Sequence, residues 1–79
     1  MPEPFTIDRD YVAATDWQTL KRELFNRTGD EHEASSILRG IERLGSDPSI
    51  HHYEVVPHPN ERVYTGAPTT VWTVTAVPA

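Results

Sequence analysis

The chain has no cysteine, which excludes disulfides and thiolate metal sites and suits a reducing compartment. It has no apolar run near the roughly 18 residues that a membrane-spanning helix needs, so no membrane partner is expected. Its start, Met-Pro-Glu-Pro, lacks the basic and apolar regions of a signal peptide. Residues 1–4 read as a disordered leader, and the chain as cytoplasmic. Cations are few: 7 basic residues stand against 12 acidic ones, for a formal net charge of −5. Strong non-specific binding to nucleic acid is thereby disfavoured, because each neutralised phosphate needs a nearby cation, although a local basic patch stays open. Lysine is almost missing, since Lys21 is the one basic residue that is not arginine. Finally, residues 63–79 contain no charged side chain.

What is there fits one small domain spanning residues 1–79. A chain of this size buries a single core, and its net stability is on the order of a few kcal/mol. The strongest pattern is helical. From Glu31 to Leu44 the apolar residues Ala34, Ile37, Leu38, Ile41 and Leu44 recur as one face of an α-helix. At about 100° per residue, His32, Ser35, Ser36, Arg39 and Arg43 share the opposite face. This predicts a helix over 30–44 with a buried back and a narrow outward stripe of basic and hydroxyl groups. Asp30 is placed to cap it, with Glu33 three positions on, and Gly45 and Pro48 end it.

An earlier helix is predicted over 16–27. Thr15 reads as its N-cap and Gln18 as the capping-box partner. Trp17, Leu20, Leu24 and Phe25 form its apolar stripe, Glu23 and Arg27 a favourable pair one turn apart, and Gly29 its left-handed close. The connection between the helices is so short that they must pack against each other. The stretch from Asp8 to Ala14 is ambiguous.

After Pro48 the pattern becomes that of strands. The expectation is an α+β domain, a two-helix hairpin packed on an antiparallel meander over about 50–56, 61–65 and 70–77. Pro57-His58-Pro59-Asn60 is expected to break the first strand and Gly66-Ala67-Pro68 to turn into the last. In that last strand Trp72, Val74 and Ala76 alternate with Val71, Thr73, Thr75 and Val77. A β-branched strand without charged gatekeepers is a liability at an open edge. It is expected either to lie centrally or to be covered by a partner, for instance in a homodimer. In an alternative order, β-α-α-β-β-β, Phe5, Thr6 and Ile7 join the sheet.

No catalytic signature is present. Ser35 and Ser36 have no evident base or oxyanion site, and the glycines form no phosphate-binding loop. His51 and His52 are adjacent in a predicted strand and should point to opposite faces, so no metal and no cofactor is expected. Trp17 and Trp72 read as core anchors.

The segment Thr19–Gly29 resembles the second helix and turn of a helix-turn-helix domain, and Ser35–Gly45 is similar to the recognition helix of winged-helix regulators. Gly66–Thr75 resembles the returning strand of the wing. The resemblance spans roughly residues 16–77. It implies a non-enzymatic DNA-binding regulator of transcription in which His32, Ser35, Ser36 and Arg39 face base edges in the major groove. Arg43, and Lys21 or Arg22, would contact phosphates, and Arg62 would sit on the wing. The alternative strand order resembles the scaffold of RelE/ParE-type toxins. The rival function is an acidic interaction module, an accessory or inhibitor protein docking a basic partner.

Overall fold

The computed structural model describes residues 3–59 and 70–79. Its elements are β1 (Phe5–Asp8), α1 (Arg9–Ala14), α2 (Trp17–Thr28), α3 (Glu31–Leu44), β2 (Ile50–Pro59) and β3 (Thr70–Pro78). The α+β class is as expected, and the two main helices lie within a residue of their predicted bounds.

Side chains next to each helix start it. The cap of α2 is Asp16, not Thr15: its carboxylate accepts from the Thr19 backbone N–H at 3.1 Å and from the Thr19 hydroxyl at 2.7 Å. A carboxylate that takes both bonds outcompetes a hydroxyl for the orphan amides of the first turn. Thr15 instead follows the last residue of α1. Asp30 caps α3 through the Glu33 N–H at 3.0 Å. Gly29 closes α2 at φ 74°, a left-handed conformation that costs glycine little.

The sheet includes the N-terminal strand that the alternative order supplied and the primary one did not. Its order is β1-β2-β3, both pairs antiparallel. The N-terminal segment therefore supplies a strand, with Phe5 opposite Val55 and Ile7 opposite Tyr53. β2 pairs directly with β3, and the strand expected at 61–65 lies outside the described residues. β3 forms an edge of the sheet among those residues rather than its centre.

β2 also runs through Pro57 and Pro59, which were expected to break it. The two prolines share one parity, opposite Trp72 and Thr70. Each sits beyond the last residue that β1 pairs, at Val55, so the missing N–H costs no bond on that side. A shift of register between Ile50 and His52 leaves His51 as an extra residue. This bulge cancels the alternation that should separate His51 from His52. Their Nδ1 atoms lie 2.7 Å apart, one donating and the other accepting.

The core is where the helices meet the sheet. Leu20 and Leu24 of α2, Ala34, Ile37 and Ile41 of α3, and Tyr53, Val55 and Trp72 of the sheet are buried, with Ile7 and Val12 beside them. The Tyr53 hydroxyl donates to the Gly45 carbonyl, and burial raises its pKa. Three apolar residues expected inside are not. Trp17, in the first turn of α2, is 49% exposed, and Phe25 and Leu44 are also exposed. Trp72 is the core anchor that was expected; Trp17 is not.

Candidate functional site

The back of α3 is buried as the periodicity demands, and that sets the stripe outward. His32, Ser36, Arg39 and Arg43 are exposed and Ser35 is half-buried. All five line one groove of about 520 Å³. Its other wall is Trp72, Thr73 and Val74 of β3, and Gly40 and Leu44 complete it. So the stripe is the upper wall of a concave surface whose lower wall is a strand at the sheet edge.

Gly40 holds that geometry. A Cβ built on it would lie 2.9 Å from Val74 Cγ2 and 3.1 Å from Val74 Cβ. Only a residue without a side chain lets α3 approach β3 this closely. A second tie is deeper. Glu33 is buried beside Ala34, and its Oε1 accepts from the Trp72 indole N–H at 2.6 Å. A buried carboxylate needs a donor, and the indole supplies it.

Arg39 and Arg43 form no ion pair among the described residues, where Arg9 pairs with Asp10, Lys21 with Glu31 and Arg27 with Glu23. Lys21 and Arg22 do not line the groove. Lys21 Nζ lies 3.6 Å from Glu31 Oε1, which ties α2 to the first turn of α3. Arg22 is exposed on α2. Arg62 lies outside the described residues.

The groove can form hydrogen bonds and ion pairs with a ligand that is anionic along one side. It has two guanidiniums, an imidazole and two hydroxyls on the helix wall, and apolar and threonine side chains on the strand wall. The sequence marked the last strand as one that a partner could cover, but not as a wall of this groove. Two signals pointed to it: the uncharged stretch 63–79, and a glycine in the middle of a helix, which marks close approach of another chain segment.

A smaller cavity of about 300 Å³ lies between β1, α1 and α2, with Asp8, Tyr11, Glu23 and Arg27 among its lining residues. The Tyr11 hydroxyl donates to Glu23, and that bond raises the Tyr11 pKa. Arg27 lies 3.8 Å from Glu23 and 4.8 Å from the centroid of the Phe5 ring. A tyrosine held this way keeps its proton and is no base near neutral pH. Among the described residues no three acidic or histidine side chains are grouped as a metal site, and no helix is long and apolar enough to cross a membrane.

No family model matches the chain, and no curated protein or solved structure matches it.

Proposed function

We propose that this protein is a small, non-enzymatic interaction module that binds a partner protein through the groove between α3 and β3. The observation that carries the reading is the pairing of an exposed basic helix stripe with a strand at the sheet edge across one concave surface. A concave wall receives a segment of another chain, whereas a recognition helix must project into the major groove of DNA. The charge count supports the same choice. Among the described residues three of the six basic side chains are engaged with carboxylates, and the first turn of α3 carries the exposed Glu31 at the end that would meet DNA phosphates.

A second reading is the DNA-binding regulator of winged-helix type. The exposure of Arg39 and Arg43 one turn apart on α3 favours it. In that reading His32, Ser35, Ser36 and Arg39 address bases, and Arg43, Lys21, Arg22 and Arg62 address phosphates.

Affinity capture from extract of the native host, with and without nuclease, separates the two. A protein retained after nuclease by the wild type and lost with Arg39→Ala/Arg43→Ala supports the module. Capture that vanishes with nuclease, together with a gel shift on a random duplex pool at low salt, supports DNA.

A further inference from the structure

We infer that the edge of β3, which no strand covers among the described residues, accepts an extended acidic segment of the partner as a further strand, with alternate carboxylates of that segment meeting Arg39 and Arg43. The inference rests on the module reading and names what fills the groove: an acidic segment, where the net charge of −5 led to the expectation of a basic partner, because the groove itself is lined by Arg39, Arg43 and His32.

The backbone of β3 is disposed for this. Pro57 and Pro59 have no N–H to give, and they stand opposite Trp72 and Thr70. In an antiparallel ladder the residues opposite such positions turn their own N–H and C=O away from the neighbour strand. By alternation Thr70, Trp72, Val74 and Ala76 direct their backbone groups to the side that no strand covers among the described residues. The side chains of Trp72, Val74 and Ala76 face the helices. A strand added there places every second side chain on the helix side, below α3.

Spacing and charge then select the occupant. Arg39 and Arg43 are separated by about 6 Å of helix rise, and alternate side chains of an extended chain by about 6.6 Å. Two carboxylates two residues apart match two guanidiniums four residues apart. His32, Ser35 and Ser36 extend the polar wall toward the start of α3. No charged side chain on β3 opposes an incoming anion. A second copy of this chain fits the edge less well. A twofold pairing centred on Val74, where Gly40 crosses, sets the Arg39 stripes of the two copies against each other.

The test uses the full chain and fluorescence anisotropy with labelled ten-residue peptides that alternate valine with glutamate. A counterpart carries lysine in place of glutamate. Two further peptides are N-methylated at alternate amides, one for each parity. The expected result is binding of the glutamate peptide and none of the lysine peptide. Arg39→Ala/Arg43→Ala, both exposed positions, weakens binding by about tenfold or more with an unchanged circular dichroism spectrum. Methylation abolishes binding in one parity and spares the other, which only strand addition produces. Failure of the glutamate peptide, equal binding of the lysine peptide, or indifference to methylation overturns the inference. So does a dimer in light scattering that the peptide does not dissociate. If the peptide fails while nuclease-resistant capture still depends on Arg39 and Arg43, strand addition falls alone; if both fail, the module reading falls too.

Discussion

The indole N–H of Trp72 reaches the carboxylate of Glu33 at 2.6 Å, joining the first turn of α3 to the edge strand β3 across the core. The two residues are 39 positions apart and each is 7% exposed. The bond fixes Trp72, which lines the groove, while Gly40 and Val74, also in its lining, set how closely α3 approaches β3.

Trp72→Phe removes the donor and leaves the buried carboxylate without a partner. The expected loss is about 1–3 kcal/mol, read as a lower urea midpoint with unchanged slope. Glu33→Gln keeps an amide oxygen that can accept the bond, and is expected to lose less than Glu33→Ala.

Gly40→Ala raises helix propensity by up to about 1 kcal/mol, yet places a methyl 2.9 Å from Val74 Cγ2. Valine is stiff at χ1 and yields little, so overpacking of about 1–3 kcal/mol outweighs the gain. The double variant Gly40→Ala/Val74→Ala is expected to be more stable than the sum of the two single changes. A double-mutant cycle from urea unfolding measures that coupling.

The tryptophans differ in surroundings. Trp17 is 49% exposed and Trp72 is 7% exposed. Trp17→Phe is expected to remove the red-shifted, acrylamide-quenchable part of the fluorescence and to change stability by less than about 0.5 kcal/mol. A blue-shifted emission from Trp72 should remain.

Acid is expected to weaken the fold through two carboxylates, the α2 cap Asp16 and Asp47 in the turn before β2. Hydrogen bonds from the side chain and backbone of Thr19 lower the Asp16 pKa from the ordinary 3.8, and the backbone N–H of Ser49 does the same for Asp47. A lowered folded value means stability that is present above the unfolded pKa of 3.8 and is lost as pH falls through the lower folded one. Melting temperature should therefore decline below about pH 4. Asp16→Asn keeps a capping oxygen without the titration, and thermal melts between pH 7 and pH 2.5 should show a shallower decline for it.

Much of the helical part was legible in the sequence. The period of 3.6 over Glu31–Leu44 places Ala34, Ile37 and Ile41 inside and Arg39 and Arg43 outside, because one side of an amphipathic helix must leave water whatever it packs against. Gly29 and Asp30 mark the junction of α2 and α3 for equally local reasons. The stripe residues of the candidate site follow from the same periodicity.

Other features needed the assembled fold. Whether Phe5–Ile7 pairs with β2 depends on a partner strand more than forty residues away in the chain, and local pattern carries no such information. The bulge at His51 is a matter of register between two strands, so simple alternation separated two imidazoles that lie side by side. Glu33 looked like a capping residue until the indole of a distant strand was beside it. Periodicity thus determined which sides of the helices are inward. Only tertiary packing decided that β3 lies at the sheet edge under α3, because long-range pairing and close approach depend on which surfaces meet, and no single segment encodes that.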